Sequence, residues 1–378
     1  MTATTTSADG ARYDSARIIL RHLYENRRAT KRDLQQSLGL SLPTIGARLR
    51  ELEDGRLVAC DGEAASTGGR KARTYAFAAA SSIAIGVAMR PTELAVCAVD
   101  LYGSVVARVN RTTVYRNDNA YYQRAGALID EIAAEQERDG RIVLGVVFAM
   151  QGIVAPDGTS VAFGPIMGDT GLTLAALAQN VHHPTTMIHA ADADATAELW
   201  FDRTLRDAVC LYLDRRVGGA LIIDGRLRQG PNRCNGAIEH MTLMPGGRAC
   251  YCGQRGCVDT YCSPETLPED YESIPGFFSV LEQGETHHRE RMNEWLDHIA
   301  QAIVNARTIV AGDVIIGGEA AQYLVDEDIA ALRTRIEART PYGTDRFTLR
   351  KGLGLDGQDV IGAALTLVGP YLSALFGD

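Results

Sequence analysis

The densest group of chemically capable side chains in this 378-residue chain is His240 followed by Cys250-Tyr-Cys252-Gly-Gln-Arg-Gly-Cys257. Three thiolates this close together can close around one soft cation. A histidine a short way upstream can take the fourth corner of a tetrahedral Cys3His zinc site. Gly253 and Gly256 allow the tight turns that such a knuckle over residues 240–257 demands. Four protein ligands leave zinc no open position, so the expected ion is structural rather than hydrolytic. The competing reading is three reduced cysteines beside an unrelated histidine. Cys234 and Cys262 stand nearby as spares, while Cys60, Cys97 and Cys210 lie in apolar, strand-like surroundings and read as core.

A second set of residues is suited to phosphate and base edges: Ser41, Thr44, Arg48 and Arg50, followed by Arg70, Lys71 and Arg73. The elements that must position them can be read from the spacing. Ala16, Ile19, Leu20, Leu23 and Tyr24 form the stripe of an amphipathic helix beginning near Asp14, and Asn26 to Ala29 breaks it. Thr30 stands three residues before Asp33, a capping-box start for a short helix that Gly39 stops. Ser41 caps a third helix with Pro43 in its first turn, and Ile45, Leu49 and Leu52 make its buried stripe. Three helices with a tight turn between the last two match a helix-turn-helix, whose third helix enters the major groove. Leu57–Cys60 and Arg73–Phe77 can pair as the strands of a wing around Ser66-Thr-Gly-Gly-Arg70-Lys71, with Arg70 placed to enter a narrow minor groove. The bland alternative is a solvated Gly/Arg loop on a protein-interaction module. Residues 1–12 are small and polar without periodicity, and a disordered tail is expected there, with the winged domain over 13–77.

The remainder, residues 78–378, alternates strand and helix patterns. Ile83–Val99 and Ile142–Ala149 are apolar and rich in β-branched residues, as buried strands should be. Helical segments follow at Tyr121–Gln136, Leu172–Asn180 and Asp192–Phe201. Strands then recur at Ala208–Asp214 and Ala220–Ile223, before a long helix from Met292 to Val310 and a strand at Val314–Ile316. This argues for an α/β body with mostly parallel sheets, in two lobes that faintly repeat one another.

Charge divides along the same boundary. Residues 1–77 hold 13 Lys/Arg against 9 Asp/Glu, a net of +4, and the rest hold 25 against 38, a net of −13. The acidic body should repel nucleic acid, so any contact with double-stranded DNA belongs to the head. At 46% hydrophobic the chain can bury sizeable cores, which excludes a disordered or fibrous protein. The N-terminal MTATTTSADG has no basic and apolar regions of a secretory signal. The uncharged run Val360–Phe376 contains Gly362, Gly369 and Pro370 and falls short of a bilayer span, so a buried terminal helix is expected and no membrane association. These features point to a cytoplasmic protein without a disulfide framework.

A winged head whose wing reads Thr-Gly-Gly-Arg-Lys, then a body holding H-x9-C-x-C-x4-C, resembles the ROK family of repressors, open reading frames and kinases. The likeness runs from about residue 13 to the end. It includes Gln151-Gly152-Ile-Val154 for the family's P-G-x-V turn, Val314-Ile-Ile-Gly-Gly318 for its late strand, and Gly362-Ala-Ala-Leu365 in its C-terminal helix. The resemblance implies a two-lobed, actin/hexokinase-like (ribonuclease H-like) ATPase-fold body behind the winged helix-turn-helix. It also implies either a sugar kinase or a sugar-responsive repressor, with His240 holding zinc while its second ring nitrogen faces the sugar.

Departures from the family pattern favour a regulator over an enzyme. The family's Asp-x-Gly-Gly-Thr phosphate turn reads Gly86-Val-Ala-Met89-Arg90-Pro91-Thr92, and the second phosphate loop reads Asp214-Arg215-Arg216. Neither can easily present backbone amides to phosphate. The Asn-Asp pair carrying the kinase base is Ala191-Asp192. The sugar-binding glutamate of Gly-Glu-Ile-Gly-His has become Ala237, with a carboxylate appearing instead at Glu239, read here as pointing elsewhere. Asp194 and the His182-His183 pair are read as polar residues at the surface or behind the site, out of contact with a ligand. The implied effector residues are therefore Gln151, Gly152, Asp192, His240 and Asp259. The expectation is a non-catalytic repressor of carbohydrate-metabolism genes, a homodimer or homotetramer on a pseudo-palindromic operator, sensing a sugar or sugar derivative. The alternatives are a regulator without a small ligand and, last, a kinase with a DNA-binding head.

Overall fold

A computed structural model describes residues 6–63, 72–233, 236–340 and 346–377. The head opens with α1 (Thr6–Asn26), β1 (Arg28–Thr30), α2 (Lys31–Leu38) and α3 (Leu42–Asp54), and closes with β2 (Val58–Glu63) and β3 (Arg73–Phe77). The expected disordered tail is thus helical from Thr6, because adding turns to an existing helix costs far less than starting one. The caps form as their residue types require. The Thr30 hydroxyl accepts from the Asp33 N–H at 3.2 Å, and the Asp33 carboxylate accepts from the Thr30 N–H at 2.8 Å. Ser41 Oγ accepts from the Thr44 N–H at 3.3 Å, and Gly39 ends α2 at φ 66°. Ile45, Leu49 and Leu52 are buried as their spacing predicts. The segment read as a break contributes a strand: β1 pairs antiparallel with β3, making a three-stranded wing sheet of order β1-β3-β2.

In the body, lobe one comprises β4 (Ser82–Arg90), β5 (Glu93–Asp100), β6 (Val105–Thr112), α4 (Asn119–Arg138) and β7 (Ile142–Met150). A small hairpin, β8 (Ile153–Val154) with β9 (Val161–Phe163), then precedes α5 (Leu174–Ala178) and β10 (Thr185–His189). Helix α6 (Ala190–Phe201) leads to lobe two. There β11 (Ala208–Leu213), β12 (Val217–Ile223) and β13 (Arg226–Leu227) precede α7 (Asp259–Cys262), α8 (Ile274–Glu282) and α9 (Thr286–Arg307). The lobe ends with β14 (Asp313–Gly317), α10 (Asp326–Arg339) and β15 (Leu349–Lys351), and α11 (Gln358–Phe376) returns to lobe one.

The two sheets run β10-β7-β4-β5-β6 and β15-β14-β11-β12-β13. Each begins as a three-stranded antiparallel meander and adds two parallel strands on the side of the first strand. The faint repetition in the sequence is therefore a duplicated topology. The sheets are mixed rather than mostly parallel, because Pro91-Thr92 and Asp214-Arg215-Arg216 are tight hairpin turns too short for a crossover.

Helix α11 ties the structure together. At 19 residues it is long and apolar enough to cross a membrane, which the count from Val360 had understated because the helix starts at Gln358. Its inner face, including Val360, Ile361, Leu365, Val368 and Leu372, is instead buried in the core that also holds Ala84, Val147 and Ala197. Each such side chain contributes about 1.5–3 kcal/mol as an upper bound. Approach is so close that a Cβ at Gly86 would lie 1.8 Å from the Val360 carbonyl oxygen. The far end of α11 reaches the head. Phe376 joins Tyr24, Phe77 and Tyr102 in an aromatic cluster, with Tyr24 stacked on Tyr102 at 4.9 Å. Arg27 lies 3.6 Å over the Tyr102 ring.

Candidate functional site

The knuckle residues converge. His240 ends a short 3-10 turn (Ile238–His240), and the three cysteines sit on the loop between it and α7. Their ligand atoms all lie within 4.8 Å of one another. Cys250 Sγ is 3.8 Å from His240 Nδ1, and Cys252 Sγ is 3.7 Å from Cys257 Sγ. Zinc–sulfur bonds of about 2.3 Å at tetrahedral angles place two sulfurs about 3.8 Å apart, close to the separation of Cys252 and Cys257. Burial holds His240 below the usual imidazole range, which favours the neutral form that ligates metal. The turn depends on Gly256, at φ 82°, where a Cβ would lie 1.7 Å from the Met244 carbonyl oxygen. Cys60 is exposed, and Cys97, Cys210 and Cys262 are buried outside the cluster. Cys234, the other spare, lies outside the described residues.

Between the lobes runs a cleft of about 1350 Å³. Gln151, Gly152 and His240 line it. With Nδ1 turned toward Cys250, His240 has Nε2 left for the cleft, between the rings of Phe163 and Tyr251 at 5.9 and 5.1 Å. Asp192 and Asp259 stand behind the wall with protein partners of their own. Asp192, 3% exposed, accepts from Gln229 Nε2 at 2.8 Å. Asp259 is fully buried and accepts from the Val217 N–H at 3.0 Å and Arg216 Nη1 at 3.2 Å. Burial raises both carboxyls above the usual range.

Two carboxylates that the sequence reading set aside face the cleft instead. Glu239 lines it at 4% exposure, its Oε2 has no hydrogen-bond partner, and burial pushes it up to about 8. Asp194 lines it at 8% exposure, and burial raises it well above the carboxylate range. The available signal for Glu239 was the loss of a carboxylate at Ala237 and its return two residues later. For Asp194 it was that residues two apart on a helix lie on opposite faces, so Asp192 and Asp194 at the start of α6 could not both be turned the same way.

Where phosphate would have to be cradled, the β4–β5 turn presents a guanidinium. Arg90 Nη2 forks onto both oxygens of Asp359 at 2.7 and 2.8 Å, and Nη1 reaches Glu93 at 2.6 Å. At the β11–β12 turn, Asp214 accepts from the Glu319 N–H at 2.8 Å, so a carboxylate occupies the amide an anion would use.

On the head, Ser41 and Thr44 are joined at 2.8 Å between hydroxyls at the start of α3. Arg48 pairs with Glu51 one turn later, while Arg50 and Arg73 are exposed. Arg70 and Lys71 lie outside the described residues.

Comparison with known proteins agrees with this arrangement. The ROK family profile matches residues 84–367, and a profile for winged helix-turn-helix DNA-binding matches residues 14–58. The DNA-binding transcriptional dual regulator NagC of Escherichia coli (strain K12) is 25% identical over 223 residues, covering 58% of this chain and 55% of NagC. The chain thus spans only a little over half the length of this relative. Among solved structures, a ROK family transcriptional regulator homologous to E. coli MLC superposes with a TM-score of 0.74 at 17% identity, covering 97% of this chain and 98% of that one. A ROK family glucokinase from Streptomyces griseus, in complex with glucose and AMPPNP, superposes with a TM-score of 0.62 at 21% identity, covering 75% of this chain and 98% of that one. These likenesses show the fold: a winged head on a ROK body shared by regulators and kinases.

Proposed function

The chain belongs to the ROK family, and from that premise we propose that it is a cytoplasmic, DNA-binding transcriptional repressor of carbohydrate-metabolism genes with a non-catalytic body. The observation that carries this reading is the Arg90 fork onto Asp359 and Glu93, at the turn where a kinase of this fold must offer backbone amides to phosphate. A body unable to cradle a triphosphate yet keeping an inter-lobe cleft is suited to sensing a ligand rather than phosphorylating it. The relative NagC, a regulator, supports the same assignment.

In this reading the head docks with α3 in the major groove, where Arg50 reaches the DNA and Ser41, Thr44 and Arg48 order its first turns. Arg73 and the wing residues Arg70 and Lys71 follow the flanking backbone and minor groove. Two heads of a homodimer or homotetramer meet a pseudo-palindromic operator. A sugar or sugar derivative enters the cleft against Gln151, Gly152 and His240, with Asp192 and Asp259 holding the walls. Structural zinc on His240, Cys250, Cys252 and Cys257 would lock the imidazole in one tautomer with Nε2 toward the ligand. A ligand changes DNA affinity only if it binds the two lobe arrangements unequally, and α11 joins the cleft to the head through a single packed helix.

Fluorescence anisotropy with DNA from upstream of the protein's own gene, titrated with salt and then a sugar panel, tests the proposal. Tight, salt-sensitive binding altered by one sugar supports it. Absence of specific binding overturns it. A regulator without a small effector is the second reading, favoured by Gln229 on Asp192 and by Arg216 and Val217 on Asp259. Tight binding indifferent to every sugar would select it.

A further inference from the structure

The cleft is lined by eight carboxylate residues and five basic ones. The basic side chains are already engaged. Arg90 serves Glu93 and Asp359, Arg108 serves Asp356, and Arg215 and Arg216 serve Glu265. Lys351 donates to the Leu324 carbonyl at 2.8 Å. Among the described residues this leaves Asp194, Asp214, Glu239 and Glu319 without a cationic partner. Asp214 and Glu319 open toward solvent, but Asp194 and Glu239 are more than nine-tenths buried. Among the described residues the hydrogen bond that Asp194 receives goes from Gln358 Nε2 to its backbone carbonyl and not to its carboxylate, and Glu239 Oε2 has no partner. A carboxyl buried in this way stays protonated until a ligand brings a positive charge beside it and draws the proton off.

We infer that this compartment receives an ammonium group, so that the effector is an amine-bearing saccharide whose nitrogen is met by the carboxylate of Asp194. The inference rests on the reading of the cleft as a sugar site. A metal ion fits the acidic wall less well: among the described residues only His240 and its three cysteines bring ligand atoms within 4.8 Å of one another. A phosphorylated sugar fits worse still, because each basic group that could meet a phosphate is occupied while buried carboxylates would oppose it. The cleft volume of about 1350 Å³ exceeds that of most small-molecule pockets, about 300–1,000 Å³. It therefore has room for more than one sugar ring, and both His240 and Asp194 line it.

The test titrates the full chain, zinc-loaded, with the β-1,4-linked disaccharide of glucosamine, its di-N-acetylated counterpart, and cellobiose, by calorimetry at pH 7. Asp194→Asn is measured in parallel; it keeps the shape of the side chain and replaces a buried neutral acid with a neutral amide, so its fold is preserved. The expected result is free-amine binding about tenfold or more tighter than either neutral disaccharide, with the preference lost in Asp194→Asn. Equal binding of all three overturns the ammonium inference and leaves the sugar reading standing. A preference that survives in Asp194→Asn overturns the role of Asp194. Binding of none of them overturns both readings together.

Discussion

Arg90 offers a quantitative test of how the β4–β5 turn is built. Its guanidinium holds Asp359 bidentately and Glu93 singly, with side-chain exposures of 26% for Arg90, 13% for Asp359 and 33% for Glu93. An exposed ion pair is worth about 0–1 kcal/mol, whereas removing one partner of a fully buried pair costs about 3–5 kcal/mol. The partial burial here lies between, so Arg90→Ala should destabilise the chain by roughly 2 kcal/mol, discounted for solvent screening. For a body of about 300 residues that corresponds to a fall in Tm of about 3 °C. Most of the loss comes from leaving Asp359, only 13% exposed, without its counter-charge. Removing the second charge should therefore restore much of it. In a cycle of Arg90→Ala, Asp359→Asn and the double variant, followed by denaturant unfolding, the double should be more stable than the sum of the singles by about 1–2 kcal/mol. Additivity within about 0.5 kcal/mol would refute the pairing as the reason this turn holds its shape.

Three further outcomes are expected. Cys252→Ser and Gly256→Ala should each lower zinc content measured by mass spectrometry, the first by removing a ligand and the second because a Cβ 1.7 Å from the Met244 oxygen displaces the loop; unchanged zinc in both would dismiss the knuckle. Asp169 is 1% exposed with Oδ1 unpartnered, and burial pushes it up to about 6, so the stability it permits when protonated is lost as pH rises from about 4 through about 6. Asp169→Asn should accordingly raise Tm at pH 7.5, by the equivalent of up to about 3 kcal/mol, and match the wild type near pH 4; a gap independent of pH would contradict this. Arg50→Ala should weaken operator binding and reduce the salt slope by about one ion, read by anisotropy at several salt concentrations; an unaltered slope removes Arg50 from the phosphate contacts.

Some of this protein was legible one residue at a time. Thr30 with Asp33, Ser41 with Thr44, Gly39 and the Ile45–Leu49–Leu52 stripe act within a few positions of one another, so their spacing alone determines cap, stop and buried face. The four knuckle ligands are similarly local: eighteen residues from His240 to Cys257, with glycines at the turns, bring them to one point whatever the rest of the chain does. Wherever partners come from distant segments, the tertiary structure decided. Pairing of β1 with β3 needed the wing to return 46 residues later, and nothing in Arg28–Thr30 announces it. Asp192 was a sound choice for a ligand-facing carboxylate until Gln229, on the other side of lobe two's meander, arrived to occupy it. Asp194 and Glu239 looked ordinary because a carboxylate's role depends on whether a cation pairs with it; Arg90, near Asp194, is spent on Asp359, and among the described residues no ion pair reaches Glu239. Local hydrogen bonds and periodic burial are written in short-range order. Charge balance inside a cleft is set by which segments folding brings together, and only the assembled lobes reveal which carboxylates are left without a counter-charge.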